Sequence, residues 1–212
     1  MSDDWDFYSL RVDSQPASIF VDLGMSKEAP IRSHSTMGYL RVLMRLPRED
    51  GLSSREEFDD LIALEDRVTA KVIQDGTAVF VGRNTSSGNR DFYFYVADPT
   101  KFEKAAKAAM REFPAYKYET DARADQEWRT YFDFLYPSEI DYQRIMNRRV
   151  RQHLKKTATT RATSARLITL LCFRTRRRKL HLQVTFRPRG SSSRAPPTSR
   201  TPMANSASNS PE

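Results

Sequence analysis

The sequence predicts an α+β domain of roughly 140 residues at the N-terminal end of the chain, and three observations carry that expectation. Period-two runs of aromatic and β-branched residues alternate with two stretches whose apolar residues recur at helical spacing. Each helical stretch opens on a capping signal. Acidic residues then vanish between Asp141 and Glu212, so that residues 1–141 carry net charge −8 and residues 142–212 carry +16. The overall charge of +8 therefore belongs to a basic tail and not to the domain.

Trp5 to Val12 and Ala17 to Asp22 alternate as strands, with Gln15-Pro16 punctuating a hairpin. Tyr39 to Leu46 predicts a third strand. The period then changes: Phe58, Leu61, Ile62, Val68, Val72 and Ile73 share a helical face. Ser53 and Ser54 with Glu56 and Glu57 offer two overlapping capping boxes at its start, and Gly76 stands where a C-cap glycine belongs. Thr77 to Gly82 and Phe92 to Ala97 predict two strands joined by a polar loop from Arg83 to Arg90. Asp98-Pro99 opens a second helix, an N-cap acceptor followed by proline at the first helical position. Its stripe is Phe102, Ala105, Ala106, Ala109, Met110 and Phe113, and Pro114 ends it. Tyr116 to Thr120 and Trp128 to Leu135 read as further strands, and Pro137-Ser138 begins a third helix reaching about His153.

The central order of strand, helix, strand, strand, helix, strand closes most simply as a ferredoxin-like (βαββαβ) sheet with both helices on one face. The N-terminal hairpin and the C-terminal strand and helix extend it. Phe92, Phe94 and Val96 would face the helices and leave Tyr93 and Tyr95 on the opposite face. A bare aromatic face calls for a cover, either the N-terminal hairpin or a partner. The expected organisation is a domain at 1–136, a C-terminal helix or linker to a missing second domain at 137–153, and a basic tail at 154–212. The tail's Arg, Thr, Ser and Pro composition predicts disorder, and its apolar stretch Leu167 to Phe173 predicts an aggregation hazard.

The function classes narrow by exclusion. A single cysteine, Cys172, rules out an internal disulfide framework or a Cys-rich zinc site. The acidic N-terminus is no secretory signal and Leu167 to Phe173 is too short to span a bilayer, so a cytoplasmic protein without membrane partners is expected. His34, His153 and His181 lie in separate segments, none with a carboxylate or cysteine at ligand spacing, so no metal or cofactor is expected. Gly82 to Gly88 lacks the Lys-Ser/Thr of a phosphate loop, which leaves a hairpin connection with Arg83 and Arg90 solvated. The carboxylates Glu56, Glu57, Asp59, Asp60, Glu65 and Asp66 suit a helix start and its exposed face. No catalytic constellation emerges. The candidate interaction surface is Tyr93 and Tyr95 with Arg83 and Arg90. Base stacking on the tyrosines is opposed by the domain's negative charge and the missing RNA-recognition strand motif.

Three stretches carry a resemblance: Gly76 to Thr85, Arg90 to Tyr95, and Trp128 to Pro137 with the helix end Asn147-Arg148-Arg149-Val150. They resemble a bacterial family, domain of unknown function 695, over about residues 1–153. The resemblance implies no assigned activity and no catalytic residues. The resemblance implies that in many relatives the block continues into a second ferredoxin-like domain similar to the regulator of ribonuclease activity B, an inhibitor that binds ribonuclease E. That domain resumes with a Gly-Asp-Asp turn and an Asp-His-aromatic strand. Codons for Arg166 to Lys179, read one nucleotide earlier, can spell Ile-Asp-His-Phe-Ala-Val-Phe-Pro-Asp-Ala-Ala-Ala-Glu. Thr157 to Thr160 can likewise yield Asn-Gly-Asp-Asp, and one adenine lost at Lys155-Lys156 would produce the switch. The expectation is a frameshifted tail in place of the second domain.

The reading that results is a non-catalytic regulatory or protein-interaction module whose partner the residues do not identify. Its rivals are nucleic-acid binding through the basic tail, where Arg174 to Lys179 is the densest run, and an enzyme whose site is assembled from loop residues such as Arg83, Arg90 and His34.

Overall fold

Six strands form an antiparallel sheet in the computed structural model, which describes residues 2, 4–12 and 14–157. In chain order the elements are β1 (Trp5–Val12), β2 (Gln15–Asp22), β3 (Thr36–Leu43), α1 (Phe58–Ile73), β4 (Ala78–Ser86), β5 (Asn89–Val96), α2 (Pro99–Met110) and β6 (Lys117–Ala124). A third helix, α3, covers residues 139–157. The strands lie in the order β1-β2-β4-β5-β3-β6. The six strands, α1, α2 and residues 139–156 of α3 belong to the compact unit Met1–Lys156. The expectations placed on residues 158–212, which are disorder, the frameshift, the apolar stretch and the basic run, fall outside the described residues.

The period-two and period-3.6 patterns become two faces. Leu40, Val42, Phe80, Phe92, Phe94 and Val96 pack beneath Leu61, Leu64, Val68 and Val72 of α1 and Phe102, Ala106, Ala109 and Met110 of α2. Asp98 caps α2 by accepting the Thr100 and Lys101 N–H groups, with Pro99 opening the first turn. At α1 half a capping box forms: Ser54 Oγ accepts the Glu57 N–H at 3.3 Å. The Glu57 carboxylate does not return to Ser54 but accepts the N–H groups of Arg45 and Leu46 at 2.7 and 2.8 Å. Gly76 sits at φ 73°, the left-handed region expected after α1.

Three expectations are corrected. The polar stretch Arg83 to Arg90 is strand rather than loop, closed by a two-residue turn at Ser87 (φ 49°) and Gly88 (φ 78°). Two consecutive positive φ angles give the turn whose twist matches its flanking strands, so the hairpin runs on to its tip. Trp128 to Leu135 is not a strand but a π-helical turn, Thr130–Leu135. The Asp125 carboxylate accepts the Arg129 and Thr130 N–H groups at 2.8 and 2.9 Å and so starts a helical path. Trp128, Tyr131 and Leu135 are then buried at i, i+3 and i+7. The third correction concerns the aromatic face. Tyr93 and Tyr95 do point away from α1 and α2, but the N-terminal hairpin extends the sheet in plane instead of folding over them. The cover comes from Leu23 and Met25, from the Trp128–Leu135 segment and from Ile145 of α3.

The two sheet edges differ. At β1, Arg149 of α3 binds Asp6 and Asp4 at 2.6 and 2.7 Å and approaches the Trp5 carbonyl at 3.3 Å. Arg148 binds Asp6 and the Phe7 carbonyl. At β6, no other strand lies on the free side among the described residues.

Candidate functional site

β4 and β5 pair with Arg83 opposite Phe92 and Thr85 opposite Arg90, which puts both arginines on the face that carries α1. Glu65 projects into the same place from α1. The Arg83 guanidinium binds the Glu65 carboxylate and lies 4.8 Å above the Phe20 ring. Arg90 Nη1 stands 3.6 Å from the same Glu65 oxygen, and its Nη2 is 3.4 Å from Ser53 Oγ. Arg90 Nε and Nη1 make no hydrogen bond. Arg90, Glu57 and Glu65 are 2%, 2% and 7% exposed, so the network is internal. Arg90 and Arg83 are not the solvated loop residues that the sequence suggests.

The electrostatics follow from that burial. Desolvation, and then the charge of Arg83, bring the Arg90 guanidinium down to about 10, while Glu65 and Glu57 oppose the shift. Arg90 is therefore still charged at neutral pH. Burial, and then the neighbouring Glu57 carboxylate, push the Tyr116 phenol up to about 12. Tyr116 Oη is itself without a hydrogen bond. Two cations and two anions close on one another here. Their arrangement fastens the β4–β5 hairpin to α1, and through Glu57 it fastens the segment before α1 as well.

The tyrosine pair separates. Tyr95 is fully buried and stacks on Trp128 with ring centroids 3.8 Å apart and planes 5° apart. Its hydroxyl donates to Asp125 Oδ2 at 2.7 Å and accepts the Tyr131 N–H at 3.2 Å. Burial pushes Asp125 upward, but the hydrogen bonds from Tyr95 and from the Thr130 and Arg129 N–H groups outweigh it and hold the carboxyl below its ordinary value. Trp128 Nε1 donates to the His34 carbonyl at 2.9 Å, and Tyr131 Oη donates to the Asp22 carbonyl at 2.7 Å. Tyr95 thus offers no surface. Tyr93 is half-buried, edge-on to Phe134, with its hydroxyl 3.4 Å from Asp91. Arg41 holds that aspartate through two hydrogen bonds of 2.9 Å. His34 belongs to this side of the sheet, away from Arg83 and Arg90, so the three loop residues do not assemble.

Sequence reasoning places Glu57 and Glu65 at a helix start and its exposed face, whereas the structure buries both, and it misses the roles of Asp125 and Trp128. A signal existed for Glu65, which falls on the buried α1 stripe of Leu61, Val68 and Val72. An acid on an apolar stripe needs a buried partner. Among the described residues, no group of three or more His, Cys, Asp or Glu is placed to hold a metal ion, and no helix is long and apolar enough to cross a membrane.

The accessible features lie elsewhere. A groove of 520 Å³ between the end of α1 and the start of α2 is lined by Lys71, Asp75, Lys101 and Lys104. A cavity of 240 Å³ between α2 and β6 is lined by Pro99, Phe102, Glu103, Thr120 and Ala122. It adjoins the free edge of β6, whose backbone polarity is fixed by one bond. The Asp125 N–H donates to the Ser35 carbonyl at 2.9 Å. In an antiparallel ladder alternate residues face the same neighbour, so the odd-numbered residues of β6 pair with β3. Tyr118, Thr120, Ala122 and Ala124 turn their N–H and C=O groups outward. The Ala122 N–H meets only its neighbour's side chain, Asp121 Oδ1, at 2.8 Å.

Residues 3–136 match the model of a family described as a family of unknown function (DUF695). No curated protein and no solved structure matches the chain.

Proposed function

The chain belongs to the family of unknown function DUF695, and from that premise and the geometry above we propose that its described domain is a non-catalytic module that binds another protein chain. The observation that carries the reading is the inequality of the two sheet edges. At the β1 edge the outward Trp5 and Phe7 carbonyls are held by Arg149 and Arg148, whereas among the described residues no other element engages the four outward-facing peptide groups of the eight-residue β6. Of the polar side chains best suited to chemistry, Arg83, Arg90 and Glu65 are spent on one another inside the protein and Glu57 on the Arg45 and Leu46 N–H groups. We read the order β4-β5-β3-β6, with α1 and α2 on one face, as the ferredoxin-like arrangement, in which β6 is a natural place for a further strand.

In-cell photo-crosslinking tests the reading. A photoreactive residue at Glu119 on β6 should give a discrete protein adduct, and the same probe at exposed Asp66 on α1 should not. Adducts absent from both positions, or a metabolite turnover by the full chain that is lost in Glu65→Gln, would overturn it.

A further inference from the structure

We propose that the chain seated on β6 is a second copy of this protein, paired antiparallel edge to edge about a two-fold axis; the inference rests on the interaction-module reading and names its partner. Its first support is parity. Outward peptide groups sit at even positions, so two copies related by a two-fold axis must set even residues opposite even residues. That restriction leaves few registers.

Charge separates the two registers that overlap β6 over the most residues, those with axes through Thr120 and through Asp121. The odd positions of β6 carry exposed Lys117, Glu119, Asp121 and Arg123 on the face opposite α2. An axis through Thr120 would oppose Lys117 to the partner's Arg123 and Glu119 to the partner's Asp121, like against like at every position. An axis through Asp121 instead opposes Glu119 to the partner's Arg123, twice by symmetry, and leaves Asp121 facing its own copy as the single like pair within the strand. Residues 119 and 123 then occupy non-hydrogen-bonded sites, where opposed side chains come closest. On the α2 face the same register sets Thr120 against the partner's Ala122. Both are small, so no bulk holds the strands apart.

One edge pair buries less than the standard interface of about 1,600 Å². The dimer is therefore reversible and depends on concentration. Forming it displaces the Asp121 side chain from the Ala122 N–H, exchanging a local bond for one across the axis.

Sedimentation velocity of the full chain over a concentration series tests the proposal. Wild type should show a reversible monomer–dimer equilibrium. Arg123→Glu turns two attractive pairs into two repulsive ones and should weaken dimerisation about tenfold or more. The exchange Glu119→Arg with Arg123→Glu should restore wild-type dimerisation. Ala122→Pro removes an outward donor that β3 does not use, so it should abolish the dimer while leaving the thermal midpoint near wild type. A dimer indifferent to Arg123→Glu and Ala122→Pro overturns the proposal, as does a folded charge-exchange variant that stays monomeric. A wild type that is monomeric at every concentration also overturns it. If such a monomer still crosslinks to a different protein from position 119, the interaction-module reading survives without this one.

Discussion

Replacing Glu65 by Ala removes the counter-charge shared by two arginines, and the structure sets the size of the effect. The Arg83 and Arg90 side chains are 19% and 2% exposed, and the Glu65 side chain is 9% exposed. Breaking a buried ion pair by removing one partner costs about 3–5 kcal/mol, because a charge is left buried without compensation. Arg83 keeps its stacking on Phe20 and some access to water, and Arg90 keeps the nearby Glu57, so the lower end, about 3 kcal/mol, is expected. For a domain of this size that amounts to roughly 6–12 °C in thermal midpoint. Urea unfolding at pH 7 gives the free energy, and a companion cycle with Arg90→Met isolates the coupling. The double variant Glu65→Leu with Arg90→Met should be much less destabilised than the sum of its single changes. A loss below about 1 kcal/mol for Glu65→Ala, or strictly additive single changes, would refute the reasoning, since either would mean that the arginines are solvated.

Three further outcomes are expected. Trp128→Ala removes the fully buried ring stacked on Tyr95 and should cost about 3–5 kcal/mol in the same unfolding assay, with a loss of near-ultraviolet dichroism. Asp125 is held below its ordinary value in the folded state, so its contribution is complete above the unfolded value near pH 4 and is lost as pH falls through the folded value. Asp125→Asn should therefore flatten the acid limb of the stability profile, and an unchanged limb would contradict the assignment. Gly88→Ala meets only Pro47 Cγ at 3.7 Å but must hold φ 78°, so it should destabilise by about 1 kcal/mol through backbone conformation alone.

Much of the fold is legible where one residue pattern serves one purpose. In α2 a cap, a proline and an uninterrupted stripe agree, and the helix occurs where they place it. The alternation from Phe92 to Val96 likewise assigns both faces of β5 correctly. Legibility fails where polar residues do core work. Arg83 to Arg90 reads as a loop because its side chains are hydrophilic, yet those side chains form the internal network that anchors the hairpin to α1. Trp128 to Leu135 imitates a strand in composition, and only the Asp125 cap, a tertiary and local device at once, turns it into a helical path. The cover over Tyr95 comes from aperiodic segments around Met25 and Trp128, which no periodicity can pair with a sheet face. The sequence therefore marks Tyr95 and Arg90 as candidate surface, and long-range packing buries both.

The central claim is that the free edge of β6 is where this protein joins another chain. Residue-resolved amide hydrogen exchange on the full chain at increasing concentration tests it most directly. The N–H groups of Glu119, Asp121 and Arg123 are bonded to β3 and should stay protected throughout. Those of Tyr118, Thr120 and Ala122 should exchange fast in dilute solution and slow as concentration rises, which is the predicted result. Fast exchange of these three at every concentration, together with slowing confined to another surface, would contradict the account.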